Sequence, residues 1–287
     1  MGNSELKISK AVIPAAGLGT RLLPVTKEIP KEMLPVAIKS GRNVLLKPML
    51  QAVFEELHSV GVRDFCFITG RGKRSIEDHF TPDWSFLEKI KSSVWKTDLE
   101  SFFRQLEQSR IYFVNQARRR GFGDAVLHSE EFAGTDRFIV HAGDDLVLSR
   151  GRSHLRELSD TFERTDADAA LLVEYVNDPR KYGVIVGEPL TGRVMRVTRI
   201  VEKPEVPPSH LAVIAVYVFG DKIYDAIRSS RPDSSGEVQL TSAIESMIQD
   251  GRKVVALRLR RGDVRIDIGS AESYIRALVH ASHIPHQ

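Results

Sequence analysis

The hydrophobic residues of this 287-residue chain form short β-branched runs that alternate with segments of helical periodicity. In the first half the runs predict strands, and the amphipathic segments predict helices. The predicted strands cover residues 10–14, 65–69, 111–115 and 138–142, and the predicted helices cover residues 48–60 and 123–131. Strands that alternate with helices form parallel sheets, because a parallel crossover needs about the length of a helix. We therefore expect an α/β fold with a Rossmann-like, mostly parallel sheet flanked by helices on both faces.

The pattern changes in the second half, where apolar runs follow one another with only turns between them. Strands are predicted over residues 169–175, 183–187 and 193–202. Short turns between consecutive strands favour antiparallel pairing. We expect an antiparallel section that carries a second substrate, followed by a terminal helix over residues 273–280.

One segment interrupts the alternation of strands and helices in the first half. Residues 81–110 place Trp84, Leu99, Phe102 and further apolar side chains at helical spacings. We interpret the segment as a helical excursion that packs on the sheet. A lid or a partner-binding surface is the alternative.

Composition indicates a soluble globular protein and narrows its partners. The hydrophobic content of 42% allows a substantial core, and 41 Lys and Arg against 38 Asp and Glu leave a net charge of only +3. This balance predicts neither a nucleic acid nor a membrane surface as partner. The first residues lack the apolar core of a signal peptide, and no run of about 18 apolar residues occurs, so we expect a cytoplasmic location. The single cysteine, Cys66, excludes a disulfide within one chain.

The first predicted strand ends in a turn of small residues that is followed by fixed cations. Ala15, Ala16 and Gly17 let the backbone approach a ligand closely, and the N–H groups of such a turn, leading into a helix, favour an anion. Arg21 adds a planar guanidinium and Lys31 a compact ammonium. The segment therefore predicts a triphosphate site.

Two common phosphate motifs do not fit this turn. Gly17-Leu-Gly19 lacks the third glycine of the dinucleotide fingerprint, and no Gly-Lys-Ser/Thr sequence follows it. The βαβ start still permits a dinucleotide-dependent oxidoreductase. The missing glycine, and prolines where the first helix of such an enzyme would run, argue against that class.

The whole N-terminal string carries a more specific resemblance. Gly17-Leu-Gly-Thr-Arg21, then Leu-Pro and Pro30-Lys-Glu-Met-Leu-Pro35, resembles the signature of sugar-phosphate nucleotidyltransferases. Within that family it is most similar to the prokaryotic UTP-glucose-1-phosphate uridylyltransferases. The resemblance implies the nucleotide-diphospho-sugar transferase fold as one domain over residues 1–287. It further implies a nucleotide-binding half at about 8–150, a sugar-phosphate-binding half at about 151–270, and a C-terminal helix and tail at 271–287.

The resemblance also implies a metal site at two strand ends. Asp144 and Asp145 end the strand that residues 137–143 predict, and Ala-Gly-Asp144-Asp-Leu resembles the family's metal-binding turn. Arg265-Ile-Asp267-Ile-Gly269 resembles its second metal motif. Two carboxylates together with phosphate oxygens and waters suit Mg²⁺. We therefore expect Mg²⁺ on Asp144 and Asp267, and we find no histidine or cysteine cluster that competes as a zinc site.

Two further motifs resemble the family's base-reading loop and sugar-phosphate site. By this resemblance, Gln116 and the Gly121 backbone read uracil, since a side-chain amide donates to and accepts from a pyrimidine edge. Glu202 binds glucose hydroxyls, Lys203 binds the sugar phosphate, and Gly183 lets the main chain approach the ring. The stretch of residues 37–47 is longer than the turn that is usual in the family.

The resemblance implies Mg²⁺-assisted transfer of UMP from UTP to glucose 1-phosphate, which gives UDP-glucose and pyrophosphate. Arg21 and Lys31 are the expected catalytic cations, and no general base is needed because the attacking phosphate is already an anion. A thymidylyltransferase or another sugar-1-phosphate nucleotidyltransferase is the nearest alternative, and an inactive sensor or scaffold is a distant one. Family resemblance also implies a homodimer or homotetramer.

Overall fold

The structure, a computed structural model, describes residues 8–40, 43–91, 93–149 and 151–281. Its strands are β1 (Lys10–Pro14), β2 (Pro35–Ser40), β3 (Asn43–Pro48), β4 (Asp64–Thr69), β5 (Arg110–Asn115), β6 (Phe138–His141), β7 (Asp145–Leu148), β8 (Ala169–Tyr175), β9 (Gly183–Thr191), β10 (Val194–Glu202), β11 (Leu211–Phe219), β12 (Val254–Arg258) and β13 (Val264–Asp267). Its helices are α1 (Met49–Ser59), α2 (Arg74–His79), α3 (Trp84–Lys89), α4 (Ser93–Glu107), α5 (Phe122–Leu127), α6 (Glu130–Ala133), α7 (His154–Thr165), α8 (Lys222–Ser229), α9 (Leu240–Gln249) and α10 (Ala271–Ala281). None of the helices among these residues is long and apolar enough to span a membrane.

A mixed sheet of nine strands forms the centre of the described chain. Its strand order is β5, β4, β1, β6, β11, β8, β12, β10, β9. The strands of the first half, β5, β4, β1 and β6, are parallel to one another. Antiparallel pairing joins β11 to β6 and β8, and β10 to β12 and β9, whereas β8 and β12 are parallel. The expected parallel sheet with an antiparallel extension is confirmed.

Alternation along the strands supplies two cores, one on each face of this sheet. In β6, Ile139 packs into the core formed with α1, α4 and α7, whereas Phe138 and Val140 pack into the core formed with α5, α8 and α9. Both faces are therefore covered by helices, which explains why β4 is buried at every position, Cys66 included.

The expectation that a helix follows the glycine turn directly is wrong. Three short 3₁₀ turns at Thr20–Leu22, Val25–Lys27 and Lys31–Met33 follow it, and the first α-helix begins at Met49. Pro24 and Pro30 stand between these turns and Pro35 follows the last of them, and each interrupts a helix because proline lacks the N–H that a continuing helix needs. The cations therefore stand on a folded loop.

The prediction of one continuous helix over residues 123–131 is also wrong, because the segment contains two helices. α5 ends at Leu127 and α6 begins at Glu130. Between them, the Ser129 hydroxyl donates to the Val126 carbonyl at 2.6 Å and lies 3.0 Å from the Tyr224 hydroxyl. A serine that bonds its local backbone in this way favours a helix boundary over a helix interior.

The carboxylates Asp144 and Asp145 do not end β6, as the sequence analysis expected. β6 ends at His141, Asp144 lies in the following turn, and Asp145 begins β7. β7 pairs with β13 in a separate small sheet, in which Asp145 lies opposite Asp267. The two halves of the chain thus meet at these aspartates.

The longer segment of residues 37–47 belongs to a hairpin of β2 and β3, whose tip at residues 41 and 42 lies outside the described residues. Lys47 anchors this hairpin through ion pairs with Glu55 at 2.8 Å and Asp98 at 2.7 Å. The helical excursion predicted over residues 81–110 is confirmed as α3 and α4, which bury Leu87 and Phe102 against the sheet.

Candidate active site

A cavity of about 630 Å³ opens where β1 and β6 end. Its walls come from both halves of the chain, which places it where ligands bind in open α/β sheets. Of the residues selected from the sequence, Ala16, Gly17, Arg21, Lys31, Gln116, Gly121, Asp144, Gly183, Glu202 and Lys203 line it. Ala15 and Asp267 do not line the cavity, although Gly269 does.

The turn after β1 presents backbone donors to the cavity. Ala15 continues the sheet, since its N–H donates to the Ile68 carbonyl at 2.8 Å, so that N–H is not available to a ligand. In the described part of the chain, the N–H groups of residues 17–20 donate no hydrogen bond. Gly19 has φ +68°, and its carbonyl accepts from the Thr26 hydroxyl at 2.7 Å. The loop is thus fixed in a form that leaves donors free for an anion.

Lys31 and Asp144 form an ion pair in the cavity wall, and each side chain is 19% exposed. Burial alone would lower the pKa of Lys31, but the carboxylates of Asp144 and Glu32 outweigh it and raise that pKa. Burial would raise the pKa of Asp144, yet the adjacent Lys31 holds it below its ordinary value. Both groups therefore remain charged at neutral pH.

A second ion pair lies next to this lysine. Lys73 binds Glu32 at 2.7 Å, and the two side chains are 6% and 2% exposed. Glu32 follows Lys31 directly in the chain, so the pair fixes the backbone that carries Lys31. Because neither Glu32 nor Lys73 has another described ion partner, removal of either would leave a buried charge uncompensated.

The two candidate metal ligands lie beside the small sheet, Asp144 in the turn before β7 and Asp267 at the end of β13. The Ile268 N–H donates to the Asp144 carbonyl at 3.2 Å, next to Asp267. Burial, followed by the negative charges of Asp145 and Asp144, raises the pKa of Asp267. A concentration of carboxylates that repel one another is the environment a hard divalent cation relieves. The residues present therefore fit a magnesium site.

Arg265 is a cavity residue to which the sequence analysis gave no role. It forms a bidentate pair with Asp145 at 2.9 and 2.7 Å, and it binds Glu174 at 2.7 Å. Its guanidinium lies 5.0 Å from the centre of the Tyr182 ring. The guanidinium neutralises Asp145, so that Asp144 and Asp267 remain as the carboxylates open to a metal.

At the other side of the glycine turn, Gln116 is 4% exposed and its amide nitrogen is already engaged. It donates to Asp124 at 2.7 Å and to the Gly121 carbonyl at 3.2 Å, while its oxygen accepts no hydrogen bond from the described residues. This network sets the orientation of the amide, because only the nitrogen can donate to a carboxylate. Asp124 was not expected as a partner from the sequence.

Glycine is required where the base-side loop meets the start of α9. Gly121 has φ +102°, and a Cβ there would lie 2.6 Å from the Val238 carbonyl oxygen. The basic run of residues 118–120 lies directly before this glycine. Arg119 lines the cavity and donates to the Ala16 and Arg71 carbonyls at 2.9 Å each. It therefore ties this loop to the glycine turn.

The predicted sugar-site residues meet in the part of the cavity wall that the second half of the chain supplies. Glu202 accepts a hydrogen bond from the Thr241 hydroxyl at 3.0 Å and pairs with Lys203 at 2.9 Å. A Cβ on Gly183 would lie 2.7 Å from the Thr241 methyl group, so only glycine fits this position without displacement. Lys203 has φ +40°, and its N–H bonds the Tyr182 carbonyl. The unusual backbone conformation directs the chain across the cavity wall.

Comparison with known proteins agrees with this arrangement. The family model described as nucleotidyl transferase matches residues 10–283. The chain belongs to this family. A curated relative from Pseudomonas aeruginosa, named UTP-glucose-1-phosphate uridylyltransferase, is 36% identical over 94% of this chain and 94% of its own length. One of the same name from Streptococcus pneumoniae is 37% identical over 95% of this chain and 90% of its own.

Solved structures agree with the family assignment. The crystal structure of a UDP-glucose pyrophosphorylase complexed with UDP-glucose superposes with a TM-score of 0.84 at 32% identity, over 95% of this chain and 98% of that one. The nucleotide-diphospho-sugar transferase fold expected for this nucleotidyltransferase is therefore confirmed. The residues that line the cavity lie between Pro14 and Gly269, within the range that the nucleotidyl transferase model matches.

The sequence analysis found no histidine cluster that could bind a metal. That expectation is wrong, because the folded chain brings one such cluster together. Glu56, His141 and His154 come together outside the cavity, from three different elements of the fold. No local spacing in the sequence connects them, because the fold alone brings their elements together.

Proposed function

We propose that this nucleotidyltransferase transfers UMP from UTP to glucose 1-phosphate and releases pyrophosphate. The observation that carries the proposal is that one cavity contains both the glycine turn with its cations and the Gly183, Glu202 and Lys203 group. The substrates are those that the relatives' names state.

The orientation of Gln116 supports uracil as the base. With its nitrogen engaged by Asp124, Gln116 keeps an amide oxygen that accepts no hydrogen bond from the described residues, and the residue lines the cavity. Uracil carries a donor at N3 between two carbonyl oxygens, whereas cytosine has no hydrogen there. A fixed acceptor therefore favours uracil or thymine over cytosine.

The triphosphate is proposed to lie against the glycine turn. The free N–H groups of residues 17–20 can donate to phosphate oxygens without reorganisation, and Arg21 and Lys31 line the same wall. When phosphate oxygens arrive, Lys31 can exchange its contact with Asp144 for one with the α-phosphate. Asp144 and Asp267 would then hold Mg²⁺, which supplies positive charge to the reacting phosphates when it is bound.

Glucose 1-phosphate is proposed to bind at the end of the cavity formed by the second half of the chain. Glu202 is held by Thr241, which leaves carboxylate lone pairs to accept from vicinal sugar hydroxyls. The Lys203 side chain is 58% exposed and pairs only with its neighbour Glu202 among the described residues. It is therefore free to neutralise the phosphate of the sugar.

The reaction requires positioning more than proton transfer. A phosphate oxygen of glucose 1-phosphate forms a bond to the α-phosphorus of UTP, and the bond from that phosphorus to the bridging oxygen of pyrophosphate breaks. The nucleophile is already an anion, and none of the described residues lining the cavity is His, Cys or Ser. This site can therefore catalyse the reaction by aligning the substrates and neutralising their charge through Arg21, Lys31 and Lys203.

By resemblance, we also propose that the protein forms a homodimer or a homotetramer. Light scattering would measure the mass of the assembly and test this proposal.

Pyrophosphate release measured over a matrix of nucleotides and sugar phosphates tests the proposal. We expect the highest kcat/KM with UTP and glucose 1-phosphate in the presence of Mg²⁺. A lower value is expected with dTTP, by about 10- to 200-fold, because one methyl group is worth about 1–3 kcal/mol to a pocket. A higher kcat/KM with dTTP would make the chain a thymidylyltransferase. No pyrophosphate release with any pair would overturn the transferase activity.

A further inference from the structure

A buried cluster of potential metal ligands lies apart from the active-site cavity. Glu56 stands on α1, His141 ends β6, and His154 begins α7. One ligand atom from each lies within 4.8 Å of the other two. His141 and His154 are 0% and 2% exposed. Since Ile139 packs into the core shared with α1 and α7, alternation along β6 turns His141 toward these two helices.

Each member of the cluster has a buried polar atom that the structure leaves without a partner. Among the described residues, Glu56 Oε2, His141 Nε2 and His154 Nε2 are buried and make no hydrogen bond. Leaving one such atom unsatisfied costs about 1–3 kcal/mol, and native proteins rarely leave several together. Three residues of one cluster that each carry such an atom indicate that something binds there.

The hydrogen bonds around the cluster prepare the imidazoles as ligands. His141 Nδ1 donates to the Ala142 carbonyl at 2.9 Å, which leaves the lone pair on Nε2. His154 Nδ1 lies 2.9 Å from the Ser149 hydroxyl and 3.3 Å from Glu56 Oε1. Metal-binding histidines are commonly held in this way, with one ring nitrogen bonded to a carbonyl, hydroxyl or carboxylate.

We propose that Glu56, His141 and His154 bind one divalent transition-metal ion, with Zn²⁺ as the first candidate. Two imidazole nitrogens and one carboxylate oxygen suit zinc, cobalt or nickel, whereas Mg²⁺ prefers oxygen ligands alone. Zn–N bonds of about 2.0–2.1 Å require ligand atoms about 3.3 Å apart, so small side-chain shifts close the site. A water molecule completes four-coordination.

The bound ion has a structural role, because the cluster is buried and does not line the cavity. It joins α1, β6 and α7 at a point three residues before Asp144. The ion would therefore fix the end of β6 from which the turn carrying Asp144 starts. A buried water molecule that bridges the three groups is the competing explanation.

Metal analysis of the full chain, purified without a histidine tag, tests this site. We expect about one zinc per chain to survive dialysis against a weak chelator. After removal by a strong chelator, Co²⁺ should restore one equivalent with visible d–d absorption. Zinc at a hundredfold excess over its Kd should raise the Tm by about 5 °C. Mg²⁺ should give no such absorption, and its presence should leave the Tm increase caused by Zn²⁺ unchanged.

Variants separate this cluster from the active site and from buried histidines in general. Glu56→Gln and His154→Gln should each lose the bound ion and the Co²⁺ spectrum. Asp267→Ala should keep both. His58→Gln is the matched control, since His58 lies on the same helix and its Nε2 is also buried without a partner among the described residues.

The wild-type result decides the matter even if a cluster variant fails to fold. A folded wild-type chain that takes up no Zn²⁺, Co²⁺ or Ni²⁺ at micromolar concentration would overturn the proposal and leave the bridging water. Uptake that His58→Gln abolishes, or that Asp267→Ala abolishes, would also overturn it, because the ion would then lie elsewhere.

Discussion

Lys31 shows how one residue's role depends on a partner that is distant in the sequence. Its place in the N-terminal motif predicts a phosphate contact, and the fold pairs it with Asp144, 113 residues later. The pair keeps a full positive charge in the cavity wall, since the pKa of Lys31 is raised by Asp144 and Glu32 against the effect of burial. A preorganised cation at this point stabilises charge that develops on the α-phosphate.

Lys31→Ala should therefore lower kcat by about 100-fold or more, as removal of a preorganised donor does. Lys31→Arg should not restore the rate fully, because a planar fork does not fit the place of a compact ammonium. Lys27→Ala is the control, since Lys27 is 77% exposed and pairs only with Glu28 among the described residues. Steady-state kinetics and thermal melts would measure these effects. A stable Lys31→Ala protein with wild-type kcat would remove Lys31 from the catalytic set.

Motifs identify residues that contact the ligand better than residues that hold those in place. The sequence singled out Gln116, Asp144 and Glu202, which line the cavity. It did not predict the hydrogen bonds of Asp124, Arg119 and Thr241, which fix the amide, the base-side loop and the Glu202 carboxylate. These contacts depend on side chains that the fold brings together, and no spacing along the chain encodes them.

At the scale of helices, α2 is held to α1 and α4 through a partly buried histidine. His79 Nε2 lies 2.9 Å from the Gln51 oxygen, and its ring stacks on Phe102 at 5.1 Å. Burial lowers the pKa of His79 from 6.5 to about 4. The folded state thus binds fewer protons than the unfolded state between these values. The stability that this gives is present above pH 6.5 and is lost as the pH falls toward 4.

This contribution should change by up to about 1.4 kcal/mol for each pH unit. Between about pH 7 and pH 5, the free energy of unfolding of wild type should therefore fall by about 2 kcal/mol more than that of His79→Gln. Urea unfolding at the two pH values measures the difference. His210→Gln, at an exposed position, is the matched control and should behave as wild type. Equal losses in wild type and His79→Gln would contradict the assignment.

Elements with a strong periodic pattern could be predicted closely, and elements interrupted by specific residues could not. β8 has the predicted bounds, and α1 lies within one residue of them at each end. The segment after β1 failed because its prolines divide it into short turns, and the segment of residues 123–131 failed because Ser129 bonds the backbone of α5. In both cases local chemistry outweighs hydrophobic periodicity.

On the scale of the whole molecule, the account depends on a cavity shared by the two halves of the chain. Hydrophobic patterns predict strands such as β1 and β8 but neither β11 nor the strand order, in which β11 lies between β6 and β8 and joins the halves in one sheet. That order, together with the pairing of β7 and β13, places the glycine turn and Glu202 in the wall of one cavity. The central claim is that nucleotide and sugar phosphate bind at opposite ends of this cavity.

The Michaelis constants of Lys203→Ala for the two substrates test that claim most directly. Loss of a charged contact worth about 1.5–3 kcal/mol should raise the KM for glucose 1-phosphate by about 10- to 150-fold and leave the KM for UTP within about twofold. Lys222→Ala is the matched control, because Lys222 also pairs with the residue before it and does not line the cavity. Equal increases in both constants, or none in that for glucose 1-phosphate, would contradict the division of the cavity into two ends.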